Sequence, residues 1–113
     1  MKALRLEATW DPRADAAASI DPADAERRLA RRADRVWREP HITVAELPDP
    51  SPGPDELLIR VRACGICGSD LHFVERDADG YMRYPGMVAA PVVTGHEFAG
   101  SVEAVGSSVS AGA

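Results

Sequence analysis

Leu57-Leu58-Ile59-Arg60-Val61-Arg62-Ala63-Cys64 runs directly into Gly65-Ile66-Cys67-Gly68-Ser69-Asp70-Leu71-His72. Its first half alternates, with Ile59, Val61 and Ala63 on one face and Leu58, Arg60 and Arg62 on the other. That period of two marks a half-buried strand. Glycine then breaks the pattern, and the spacing predicts one or two helical turns over 69–75, with Ser69 or Asp70 as the cap. The turn-forming Asp77-Ala78-Asp79-Gly80 opens a loop that runs to Gly86. Strand, glycine-bearing turn and short helix are the units of this chain.

Outward from that stretch the same units recur. Met1–Thr9 alternates loosely and reads as a first strand, His41–Leu47 as a second and Phe98–Val105 as the last, with Pro91–Thr94 a short extended piece. Pro48-Asp49-Pro50-Ser51-Pro52-Gly53-Pro54-Asp55 forbids regular structure. Asp11–Arg38 differs in composition, being rich in alanine, aspartate and arginine. Asp21-Pro22 is a helix start there, but Ala25, Leu29 and Val36 give only a thin apolar stripe. The segment at about 11–38 reads as a surface helix or a partly disordered insertion, its arginines laced with acids as a solvated face. Ser107–Ala113 is small and polar, without packing potential. One mainly β domain, a small barrel or sandwich with short helices, is expected over 1–113.

The chain has 113 residues, a net charge of −5 and a pI near 5.1. This balance argues against a nucleic-acid surface or an anionic-membrane binder. Charged residues interrupt the N-terminal stretch, so no signal peptide is read there, and no apolar run is long enough to span a bilayer. A soluble, cytoplasmic protein is expected. The only two cysteines, Cys64 and Cys67, close too short a loop to be a useful staple. Metal or redox chemistry is the better reading of the pair.

Cys67, His96 and Glu97 offer a thiolate, an imidazole and a carboxylate, the ligand types that Zn²⁺ accepts. His96 and Glu97 are neighbours and would face apart on a regular strand, so a shared metal requires an irregular backbone, which Gly95 can provide. Ser69 and His72 are the groups a proton relay would use, although Ser69 is equally a helix cap. Asp70 suits either a carboxylate that fixes a ligand imidazole or a first-turn helix acid. Cys64, ending the strand, reads as a small buried hydrophobe. The alternative is a Cys-x-x-Cys thiol redox protein, but the long helix and βαβ alternation of that fold are missing from the pattern.

Gly65-Ile66-Cys67-Gly68-Ser69-Asp70 with His72, followed by Gly95-His96-Glu97-Phe98 and Gly100, resembles the medium-chain zinc-dependent dehydrogenases, which include alcohol, sorbitol and threonine dehydrogenases. Pro52–Val61 and Val102-Glu103-Ala104-Val105-Gly106 are similar to the same family. Met1–Trp10, Val36-Trp37-Arg38 and 79–86 resemble its inosose dehydrogenase subgroup. The resemblance implies a GroES-like partial β-barrel, C-terminally truncated and lacking the Rossmann domain that binds NAD(P). It implies Cys67 and His96 as catalytic zinc ligands and Glu97 as a ligand or close neighbour. Ser69 and His72 become the relay, and an alcohol or polyol the substrate. A homo-oligomer or a separate Rossmann-domain partner stays open.

Two of the family's features are absent from the sequence. No Gly-x-Gly-x-x-Gly occurs, and neither does a four-cysteine structural-zinc lobe. The chain by itself is accordingly expected to be inactive, with a non-catalytic zinc module or a remnant as the other reading.

Overall fold

The computed structural model describes residues 1–110; residues 111–113 of the expected polar tail lie outside them. The order is β1 (Lys2–Trp10), α1 (Ala14–Ala17), α2 (Pro22–Arg27), a 3-10 turn (Ala33–Arg35), β2 (Trp37–Glu46), β3 (Leu57–Gly65), α3 (Gly68–His72), β4 (Val92–Val93) and β5 (Glu97–Val105). The mainly β expectation with short helices holds. β1 lies between β2 and β4 in one antiparallel sheet, and β3 pairs with β5 in a separate two-stranded ribbon.

The core sits where the sequence looked least apolar. Leu6, Ala30, Ala33, Val36, Trp37, Met82 and Val88 form the buried cluster, drawn from β1, from residues 30–37 and from the loop 81–88. The segment read as a surface helix or insertion therefore supplies four of those residues. Its helix is short because Arg28 turns left-handed at φ 51° and ends α2, whose start is the expected Asp21 cap accepting from the Ala23 N–H. Beyond it Ala30 pairs with Val88 as an isolated bridge, so small residues pack by backbone approach and not by helical periodicity. Trp37 closes the cluster. Its Nε1 donates to the Val88 carbonyl at 2.9 Å, and its ring meets Trp10 edge-on at 5.2 Å.

Asp24 is the one buried charged residue among those described, 5 % exposed. Arg27 and Arg31 both reach it, at 2.6 and 2.8 Å. These guanidinium hydrogen bonds, Arg31 first, hold its carboxyl down at about 2. Arg31 lies beyond the end of α2, so these pairs run across a turn and not along one solvated helix face, and the acid at their centre is buried.

The ribbon is less regular than its alternation predicts. Register shifts fall between Leu58 and Ile59 and between Val61 and Ala63, so adjacent Leu58 and Ile59 are both half-buried. Leu57, Val61, Phe98, Val102 and Val105 are exposed along it. The polar tail turns back at Ser108, whose N–H donates to the Pro54 carbonyl at 2.9 Å.

A candidate metal centre between two tethered loops

The two loops that carry the chemistry are each tied to the core from one side. The loop after β3 enters α3, and beyond that helix Phe73 and Val74 pack against the buried cluster, Phe73 with its ring 4.6 Å from that of Tyr84. The loop before β5 leaves β4, which pairs with β1, and the Thr94 N–H holds the Leu4 carbonyl at 3.0 Å. The ribbon register then sets Gly65 opposite Glu97, which brings the two loops side by side.

The cap of α3 is Cys67, two residues before the expected Ser69 and three before Asp70. The Cys67 N–H donates to Asp70 Oδ2 at 2.9 Å, and the Asp70 N–H donates back to the Cys67 carbonyl at 3.0 Å. Asp70 thereby fixes the backbone that aims the Cys67 sulfur. His96 stands just before β5, not on it, and Gly95 precedes it at φ 104°. This left-handed glycine is the irregularity that lets His96 and Glu97 converge.

Convergence is the result. Ligand atoms of Cys67, His96 and Glu97 all lie within 4.8 Å of one another, and this trio could hold a metal ion. The electrostatics favour the thiolate, the ligating form of Cys67. The Ser69 hydroxyl and its backbone N–H, followed by His96, hold the Cys67 thiol below its ordinary range. The Cys67 sulfur in turn pushes His96 upward, and Asp70 adds to this by its charge.

Asp70 Oδ1 is buried without a hydrogen-bond partner, and His96 Nδ1 lies 3.5 Å from it. An imidazole with its Nδ1 turned to a carboxylate presents Nε2 as the free donor, the arrangement common to metal-bound histidines. The donor set therefore fits a zinc-type ion.

Ser69 Oγ sits 3.4 Å from His96 Nε2, at the edge of the same trio. His72 is held differently, with Nδ1 on Glu75 Oε2 at 3.2 Å. The structure thus groups Ser69 with the trio and records His72, half exposed, against a neighbouring acid. Glu75 was not singled out by the sequence reading; the i,i+3 spacing from His72 is the signal that finds it. Cys64 departs from expectation, being exposed rather than buried. The reason is the ribbon, which among the described residues has no layer packed over this end.

The chain is similar to known proteins in both sequence and fold. Residues 53–113 match the alcohol dehydrogenase GroES-like domain. Over 107 residues the chain is 46 % identical to the scyllo-inosose 3-dehydrogenase of Thermotoga maritima, covering 94 % of this chain and 27 % of that protein. It is 50 % identical over 68 residues to human sorbitol dehydrogenase, covering 60 % of this chain and 18 % of that one. A solved Thermotoga maritima structure assigned to the alcohol dehydrogenases superposes with a TM-score of 0.86 at 45 % identity, covering 93 % of this chain and 26 % of the other. The chain spans about a quarter of the length of these first relatives. No helix among the described residues is long and apolar enough to cross a membrane. The matched domain spans more than half of the sequence and the fold agrees along nearly all of it, so the chain belongs to the GroES-like domain family of the alcohol dehydrogenases.

Proposed function

We propose that this chain carries the alcohol-activating metal site of a zinc-dependent alcohol or polyol oxidoreductase. The observation that carries the reading is the convergence of Cys67, His96 and Glu97, from two loops 29 positions apart in sequence, within 4.8 Å. Cys67 and His96 are assigned as ligands, with Glu97 as ligand or adjacent carboxylate. Bound zinc would supply Lewis acidity, lowering the pKa of an alcohol as it lowers that of water to about 7.

The residues of the chain do the rest. Asp70 orients both donors, through the Cys67 N–H and through His96 Nδ1. Ser69, with its hydroxyl beside the trio, receives the substrate hydroxyl's proton. His72, half exposed and braced by Glu75, passes that proton to water.

The hydride acceptor, a nicotinamide in this family reading, is not assigned to these residues, because none of the described elements forms the βαβ unit that cradles a dinucleotide. The proposed role is therefore the alcohol-activating half of the reaction. A small alcohol or polyol is the substrate class, in line with the names of the inosose and sorbitol relatives.

Calorimetric titration of the metal-free chain with Zn²⁺ tests this. One zinc should bind per chain in the parent, and Cys67→Ser and His96→Ala should each abolish stoichiometric binding. No binding by the parent overturns the reading in favour of a metal-free remnant.

A further inference from the structure

We propose that Cys64 is a positioning residue, whose sulfur acts as a spacer that sets the His96 loop against the Cys67 loop. The inference rests on the metal-centre reading and concerns a residue outside the donor trio. Cys64 is the penultimate residue of β3, opposite Phe98, and its thiol turns to the neighbouring Gly65 carbonyl at 3.6 Å. On its far side lies Gly95. A Cβ placed on Gly95 would stand 2.8 Å from Cys64 Sγ, closer than such carbons come to any atom. The sulfur is thus in contact with the residue that aims His96, while its own chain leads three positions on to Cys67.

The next residue pair repeats the fit. A Cβ on Gly65 would meet Glu97 Oε2 at 3.3 Å, so the strand end leaves only the space the carboxylate needs. Cys64 and Gly65 together present a thiol and a gap to Gly95 and Glu97. A bulkier side chain that keeps the direction of the Cys64 thiol runs into Gly95 and displaces it, and with it the imidazole. A serine fits the same space. Groups that orient ligands from outside typically govern metal affinity by about 10–100-fold.

Two readouts test this, one of them independent of metal. In the metal-free protein, Cys64→Met should shift the Gly95 amide and the His96 ring signals in NMR spectra, while Cys64→Ser leaves them close to the parent. Unmoved signals in Cys64→Met overturn the proposal whether or not metal binds.

In Co²⁺ titrations followed by visible absorption, Cys64→Met should weaken binding at least about ten-fold. Cys64→Ser should stay within about three-fold and keep the thiolate-to-cobalt band. Equal affinity for Cys64→Met and the parent overturns the proposal, as does loss of the band in Cys64→Ser, which would make Cys64 a ligand.

Gly95→Ala approaches the contact from the other side. Its left-handed strain is the same in either background, so the loss it causes should be smaller when combined with Cys64→Ala than alone. Additive effects count against the contact. If the parent binds no cobalt while the Gly95 and His96 signals still respond to Cys64→Met, the metal reading fails and the spacer contact stands.

Discussion

Replacing Trp37 by phenylalanine removes the pin that joins the segment 30–37 to the loop at Val88. The indole is 1 % exposed, and its N–H donates to the Val88 carbonyl at 2.9 Å. That carbonyl also accepts the Ala30 N–H at 2.9 Å, so the substitution leaves no orphaned acceptor. The lost hydrogen bond then costs about 1 kcal/mol. The smaller ring gives up part of the buried indole surface and of the edge contact with Trp10, a further loss of about 1–2 kcal/mol. The expected total is about 2–3 kcal/mol, between a conservative core change and the ~3–5 kcal/mol of Trp37→Ala.

For a domain of this size that corresponds to a midpoint lowered by roughly 10–20 °C. Urea unfolding followed by the fluorescence of the remaining Trp10 measures it directly, with unchanged m-values as the sign of a simple stability effect. A loss below about 0.5 kcal/mol would refute the argument. Trp37 would then not hold the arginine-rich segment in the core.

Further perturbations probe other parts of the account. Leu6→Ala, at the centre of the cluster, should cost about 2–5 kcal/mol by chemical denaturation. Asp24, held at about 2 from an ordinary 3.8, has a depressed pKa, so its stabilising contribution is complete above the unfolded value and lost as pH falls from about 4 towards 2. Asp24→Asn should flatten the acid limb of the stability profile in that window and lower the midpoint at pH 7; an unchanged acid limb would place the ion triad outside the folding equilibrium. Iodoacetamide should alkylate Cys67 faster than Cys64 at neutral pH, since Ser69 and His96 favour its thiolate. Peptide mapping reads this, and Asp70→Asn should reduce the preference by loosening the turn that aims Cys67.

Much of the architecture could be read from residue types. The alternation of 57–64 located β3, the Asp21-Pro22 pair located the start of α2, and the glycines around Cys67 and His96 marked both loops. The convergence of the trio was also foreseeable, because Gly95 supplied the one backbone irregularity it needs.

What could not be read has physical causes. Ala30 and Ala33 bury by close backbone approach to Val88 and Gly86, which leaves no periodic apolar signal. Asp24 is buried because two arginines from its own segment neutralise it, so its charge pattern mimics a solvated face. Cys64 looked like a core residue because a thiol at the end of a strand is usually a small buried hydrophobe, yet bulges and an uncovered ribbon leave it exposed against Gly95. The approach of Asp70 to His96 does not follow from motif spacing alone; α3 and the β3–β5 register bring the two together.

X-ray absorption at the zinc edge of the zinc-loaded chain tests the central claim most directly. One sulfur at about 2.3 Å, with the remaining donors nitrogen and oxygen at about 2.0–2.2 Å, is the predicted shell, and Cys67→Ser should remove the sulfur. Two sulfurs would contradict the account by making Cys64 a ligand. A shell without sulfur would contradict it by removing Cys67 from the centre altogether.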